Sequence, residues 1–403
     1  MKILFLTYDF PLPCNHGNRM RTWNFINSLK DENELSLLCF DRDDISNEQM
    51  REAKKVFSNI WLVKRESEAR NKCRSFVGKA KKLLSFLRLQ PWEIQNTFLP
   101  EYEKRFLELL KNNDFDILFA RYIYMGQYLI KNRRAISSLK ILDVDDMEFV
   151  KRQEIRNKCK DTLYGRHRTR VNNTFLKYYY KKGALLDKAL LCSDSDKNVL
   201  RLHNAVVVPN ALDEEIGMKV PAFTKENIDN KTILFCGHLS YDANVDGILW
   251  FVTSVFKRLQ SLDNSVKLHI VGLQPEKCLL ECADGKSIYV FKDVESVMPF
   301  YNNCSLVIAP LRFGGGTRIK LLEAMAYKRP IVTTHKGAEG LDLVNGRHCL
   351  FVDGPEDFSK ACYSILTGYD KAKLMTEEAY TLFKSKYSFE KVKNRINGAF
   401  RYA

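Results

Sequence analysis

The sequence has no run of about 18 uncharged apolar residues, so no transmembrane helix is expected. Its first residues, MKILFLTYDFPLP, are broken by Asp9 and Pro11 and lack a small-residue cleavage site. They read as a first β-strand, not as a secretory signal. Cysteine pairing signals are also missing. The eleven Cys are an odd number without paired spacing, and most lie in apolar runs such as LSLLCF, ALLCS and ILFCG. Buried free thiols in a reducing cytosol account for this better than disulfides. Cys278 and Cys282 stand four apart, but no nearby His or second Cys pair completes a metal site. His16, His167, His203, His269 and His348 lie apart, without ligand spacing. Disordered and collagen-like compositions are excluded as well.

What is present is enough apolar material for two cores: 403 residues, 45% of them hydrophobic. That length suits two domains of about 200 residues each. Lys and Arg number 64 against 49 Asp and Glu, a net charge of +15. Such a surface attracts anions, whether nucleic acid, lipid headgroups or phosphorylated small molecules.

Strand-like runs alternate with helical patterns throughout, which predicts α/β architecture with parallel sheets. The first half offers KILFLTY, ELSLLCF, NIWLV, DILFA, KILDV and KALLCS; the second offers TILFCG, VKLHIVG, SIYVF, SLVIAP and PIVTT. Two doubly wound sheets are expected, one beginning at Lys2 and one at Thr232, with Ala205 to Glu215 carrying the transition. Residues 147–182, rich in Arg, Lys and Tyr, read as one or two helices with a solvated basic face; a nucleic-acid patch is the weaker reading. Residues 71–90 form a basic amphipathic pattern that suits an anionic membrane surface or packing on its own domain.

The most informative stretch is GGGTRIKLLEAMA, Gly314 to Ala326. It follows the buried-strand pattern SLVIAP, and ligands of open α/β sheets bind beyond strand carboxyl ends. Glycines let a phosphate approach the backbone, and a helix N-terminus attracts anions. Thr317 is the expected N-cap. Arg318 and Lys320 stand at a helix start, where cations are unfavourable by a few tenths of a kcal/mol, about 0.3 or more. That placement suits an anion such as a diphosphate. Glu323, one turn on, can accept hydrogen bonds from ribose hydroxyls. No Gly-Lys-Ser/Thr follows, so this is not a Walker loop. The alternative is a solvated helix start with a Lys320–Glu323 surface pair.

The segment FGGGTRIKLLEAMAYKRPIVTTHKGAEGL closely resembles the donor-binding region of the group 1 retaining glycosyltransferases. PLPCNHGNRMRTWNFINSL, LLCSDSDKNVL, VVVPNALD and ILFCGHLSYDANVDGILWF follow that family's order, and the resemblance is loosest over residues 40–115. It implies the GT-B fold: two Rossmann-like, doubly wound domains facing a central cleft. The expected domains are 1–205 for the acceptor, 206–386 for a nucleotide-sugar, and a helix in 387–403 that crosses back. By similarity, Glu323 holds the donor ribose, and Arg318 and Lys320 face the diphosphate. Gly17, Gly237, His238, Gly315, Gly316 and Thr317 belong to the donor site, and the backbone at Phe291 and Lys292 meets the base.

The family often places a second Glu where this chain has Gly315, and an Arg and a Lys in the loop that here reads GHLSYDAN. Sugar recognition therefore differs, and Arg318 and Lys320 are expected to compensate. Where the family commonly has a His beside the reacting sugar, KILDVDDMEF offers Asp145 and Asp146 as catalytic candidates. A cluster capping the next helix is the alternative role. DVDD also resembles the metal-binding D-x-D of the other glycosyltransferase fold, but Arg318, Lys320 and a helix end supply positive charge, so no metal or other cofactor is expected. Arg121, closing DILFA, is a candidate acceptor contact, and His335 lies near the donor loop.

The resemblance implies a cytoplasmic, membrane-peripheral retaining glycosyltransferase acting in surface-polysaccharide assembly. Its partners are a nucleotide-sugar donor, a glycan or polyprenyl-linked acceptor and an anionic membrane surface, and not nucleic acid. The rival readings are a nucleotide-sugar epimerase on the same fold and a catalytically inactive binding protein.

Overall fold

A computed structural model of the chain describes residues 1–14, 17–41, 45–65, 91–150, 163–213, 220–315 and 318–401. The amphipathic segment 71–90, His16, Gly316 and Thr317 lie outside the described residues. The chain divides into two compact units, Met1–Pro209 with Lys393–Ala403, and Asn210–Val392.

The first unit holds strands β1 (Lys2–Thr7), β2 (Glu34–Asp41), β3 (Phe57–Lys64), β4 (Ile117–Arg121), β5 (Leu139–Asp145), β6 (Lys188–Leu191) and β7 (Ala205–Val207). Their order is β3-β2-β1-β4-β5-β6-β7, and every pairing is parallel. The second unit holds β8 (Thr232–Cys236), β9 (Lys267–Gly272), β10 (Ile288–Lys292), β11 (Leu306–Ala309), β12 (Ile331–Thr333) and β13 (Leu350–Phe351). They run β10-β9-β8-β11-β12-β13, again all parallel.

Strands covered on both faces read as near-continuous apolar runs. Ile3, Leu4, Phe5 and Leu6 of β1 have no exposed surface, nor have Ile233, Leu234 and Phe235 of β8. Burying each such side chain contributes roughly 1.5–3 kcal/mol. In each sheet the winding reverses once, between β1 and β4 and between β8 and β11. Such reversals open crevices at strand carboxyl ends, where ligands bind.

The helices that supply side chains to these two reversals or to the first unit's core include α1 (Gly17–Leu29), α2 (Tyr122–Asn132), α3 (Asp242–Trp250), α4 (Met298–Asn303), α5 (Ile319–Ala326) and α6 (Phe389–Phe400). The end of α6 completes that core: the Phe400 ring lies 5.0 Å from Phe119 and 6.1 Å from Phe25. Lys188 Nζ donates to the Ala399 and Arg401 carbonyls at 2.9 and 2.7 Å. A helix over Leu163–Lys181 buries Leu176, Tyr179 and Tyr180 in the same core, so this basic, tyrosine-rich stretch packs on its own unit. Among the described residues no helix is long and apolar enough to cross a membrane.

Candidate active site

At the β8/β11 reversal, the loop after β8 begins at Gly237 and the loop after β11 carries the glycines. Helix α5 starts at Ile319 with Arg318 as its N-cap, later than the predicted Thr317 cap, and no side chain caps it. Arg318 instead curls back on its own loop. One terminal nitrogen donates to the Gly315 carbonyl at 2.5 Å and the other to Gly314 at 2.8 Å. Gly314 sits at φ +119, a conformation that favours glycine. The Arg318 Nε is buried and has no hydrogen-bond partner among the described residues.

Lys320 is only 8% exposed although it lies in the first turn of α5. Its ammonium reaches under the loop after β8, donating to Asn244 Oδ1 at 2.7 Å and lying 3.8 Å from the Phe235 ring centroid. Asn244, on α3, is oriented in turn by donating from Nδ2 to the His238 carbonyl at 2.7 Å. A Cβ on Gly237 would stand 3.0 Å from Lys320 Nζ, so a side chain there would crowd the ammonium. Burial pushes Lys320 down to about 7, with neighbouring Arg318 adding to the effect against Cys236 and Glu323. The surface pair with Glu323 does not form: Glu323, half-buried, accepts instead from the Tyr301 hydroxyl at 2.9 Å. Burial raises Glu323 to about 6, opposed by that hydroxyl and by Lys320.

Other predicted donor residues lie at the same sheet edge. His238 is half-buried, and its Nδ1 is 3.0 Å from the Ser240 hydroxyl. Phe291, at the end of β10, packs against Phe300 and His269 with centroids 4.8 and 5.0 Å away. Past β11, β12 and β13, a cavity of about 700 Å³ is lined by Arg312, His335, Lys336 and Phe351 among others. Within it, His335 Nδ1 lies 2.9 Å from Asp353 Oδ2.

The β1/β4 reversal is built differently. Arg21 of α1 and Arg121 at the end of β4 converge on Asp143 and Asp145 of β5. Arg21 meets Asp143 Oδ1 at 2.6 Å and Oδ2 at 3.0 Å. Arg121 pairs with Asp143, and with Asp145 Oδ2 at 3.0 Å. Arg121 also donates to Thr22 Oγ1 at 2.9 Å and to the Asn18 carbonyl at 3.2 Å. It has no exposed surface, so it cannot be the acceptor contact predicted for it; its charge is used in orienting two carboxylates. Asp145 is 7% exposed and sits at φ +53. Burial alone would raise its pKa, but Arg121 and Arg21 outweigh that and hold it below the usual carboxylate range.

Asp146, one residue on, is half-buried and lines a cavity of about 570 Å³ with Asp9, Asn18, Tyr122, Tyr124 and Glu148. The two catalytic candidates are thus separated: Asp145 belongs to the buried ion cluster and Asp146 to the cavity wall. Gly17 is the first residue of α1, beside Asn18 of that wall. Sequence reasoning missed Arg21, Asn244 and Tyr301. Arg21 and Asn244 lie in quoted motifs, but nothing local marks their partners, which are 122 and 76 residues away.

Residues 230–368 match the family model of the group 1 glycosyl transferases. The whole chain superposes on sucrose-phosphate synthase from Thermosynechococcus elongatus with a TM-score of 0.70 at 12% identity, covering 100% of this chain and 98% of that one. It superposes on HepE of Anabaena in complex with UDP and glucose with a TM-score of 0.65 at 11% identity, covering 99% and 98%. An uncharacterised 44.6 kDa protein of the cps region of Klebsiella pneumoniae is 22% identical over 422 residues, 98% of each chain. Two parallel-sheet α/β units on this pattern define the GT-B fold. The match to the group 1 glycosyl transferases thus lies within the second unit, while the solved structures show the fold of the whole chain.

Proposed function

We propose that the chain is a retaining glycosyltransferase. It moves a sugar from a nucleoside diphosphate to a glycan or lipid-linked glycan acceptor in surface-polysaccharide assembly. The observation that carries the donor assignment is Lys320. A buried ammonium whose partners are an amide oxygen and an aromatic face is costly unless an anion completes it. Arg318, bonded only to loop carbonyls among the described residues, adds a second cation. Both stand where a doubly wound sheet opens its ligand crevice. HepE, which shares the fold, binds UDP and glucose, and the relative from the cps region supports the polysaccharide setting.

In this reading Lys320 and Arg318 balance the diphosphate and stabilise the charge that grows on the leaving group. Glu323 receives the ribose hydroxyls. Asp146, on its cavity wall, orients the acceptor or stabilises the oxocarbenium-like transition state, while Asp145 and Arg121 hold the strand end that carries it. With these cations present, turnover should persist in excess EDTA; loss restored by Mn²⁺ would contradict the assignment. The net charge of +15 favours encounter with anionic membranes, testable by co-sedimentation with phosphatidylglycerol vesicles.

The deciding test is a thermal-shift screen against nucleoside diphosphate sugars. A ligand at 100 times its Kd should stabilise the chain by about 2.7 kcal/mol. No shift with any of them would remove the donor assignment.

A further inference from the structure

We propose that Tyr301 is a positioning residue for the donor ribose: its hydroxyl turns the Glu323 carboxylate so that the remaining oxygen receives the ribose hydroxyls. This rests on the donor reading above and deepens it.

Tyr301 lies on α4, has no exposed surface, and reaches α5 with its phenolic oxygen. The hydroxyl donates to Glu323 Oε2 at 2.9 Å, and the Lys320 carbonyl lies 3.4 Å away. No hydrogen bond engages Oε1 among the described residues, and Glu323 keeps part of its surface open. One oxygen is therefore bound by the protein and the other is presented.

The tyrosine itself is held at both ends. Its ring stacks on Tyr327 with centroids 4.4 Å apart and planes 4° from parallel. Its carbonyl accepts from Arg329 Nε at 2.5 Å, and Arg329 also donates to the Asn302 carbonyl at 3.1 Å. Arg329 is fully buried, so the C-terminal end of α4 has little freedom. A buried tyrosine hydroxyl needs an acceptor, and any carbonyl would satisfy that need. Here it takes the carboxylate of the one acidic residue in α5.

The bond also affects charge. Lys320 faces Glu323 from α5, Tyr327 from the residue that follows α5, Tyr301 from α4 and Cys236 from β8. Among them Tyr301 and Lys320 favour the ionised carboxylate, against burial. Without the hydroxyl, Glu323 protonates at higher pH.

The experiment compares the native chain with Tyr301→Phe, which removes only the oxygen. Calorimetry identifies which of UDP, GDP, ADP or CDP the native chain binds most tightly, then repeats the titration with its 2′,3′-dideoxy counterpart. Tyr301→Phe should weaken the ribonucleotide by about tenfold and leave the dideoxynucleotide unchanged, because a hydrogen bond to a charged group is lost only where the carboxylate is used. The acid limb of ribonucleotide affinity should move to higher pH. Glu323→Asp, which keeps the charge but shortens its reach, should lose the same preference. Equal weakening of both nucleotides, or an undiminished ribose preference, would overturn the role of Tyr301 and leave the donor site standing. If the native chain bound none of the four diphosphates, both readings would go.

Discussion

The two sheet reversals carry similar numbers of charged groups but opposite electrostatics. At β1/β4, two arginines and two aspartates are buried together, and each guanidinium meets a carboxylate. At β8/β11, Arg318 and Lys320 are buried against backbone carbonyls, an amide and a ring, and Glu323 answers to a tyrosine hydroxyl. The first cluster is complete in itself. The second has positive charge in excess, and burial depresses Lys320 toward neutrality. A closed cluster stiffens a wall, whereas an incomplete one suits an anion. That contrast supports the proposed donor site better than the net charge of the whole chain does.

The sharpest way to break the contrast is to remove one member of each cluster. Arg121→Met leaves Asp143 short of a partner and should destabilise the first unit by about 3–5 kcal/mol, read by chemical denaturation. Asp146→Asn should leave folding intact and lower turnover by about 10²-fold, the lower end of what a positioned acid or base supplies. If Asp145→Asn spared stability and abolished turnover instead, the two aspartates would have to exchange roles.

Lys320→Met should lower nucleoside diphosphate affinity by about 10–100-fold by calorimetry, since a charge-assisted contact is lost. The same variant should melt no lower than the native chain without nucleotide. A buried cation with no counter-charge is a cost there, unlike Arg121. A smaller effect is expected of Gly237→Ala. Its methyl would stand 3.0 Å from the ammonium, and affinity should fall by about tenfold or less as Lys320 shifts.

The smallest effect is in pH. Lys320 titrates at about 7 in the folded chain against an ordinary value of about 10.4. Between those values the unfolded chain holds a proton that the folded one has lost, so this group makes stability rise with pH from about 7 to about 10. The difference in melting temperature between native and Lys320→Met chains should therefore shrink over that range. Nucleotide affinity should fall as pH rises above 7, because the diphosphate prefers the charged lysine. A flat difference would mean that Lys320 is not the unbalanced group.

Much of the fold is legible in the residues themselves. Runs such as KILFLTY and TILFCG announce buried parallel strands because both faces are covered. Strands β7 and β13 escaped because three and two residues carry no periodic signal. The glycine loop with Arg318 and Lys320 was legible because cations at a helix start contradict the local dipole. Arg121 misled because a strand-end position says nothing about which acids the neighbouring strand presents. The DVDD run could not distinguish Asp145 from Asp146, since adjacent residues leave a strand in different directions.

Local chemistry alone therefore determined two parallel sheets, their order along the chain, and a glycine-rich loop with cations beside it. The partners of those charges were decided only in three dimensions. Sheet order brings β5 beside β4 and β11 beside β8, so Arg21 finds Asp143 across 122 residues and Lys320 finds Asn244 across 76. Whether a buried charge is satisfied or waiting depends on which strands become neighbours, and no stretch of sequence contains both halves of such a pair.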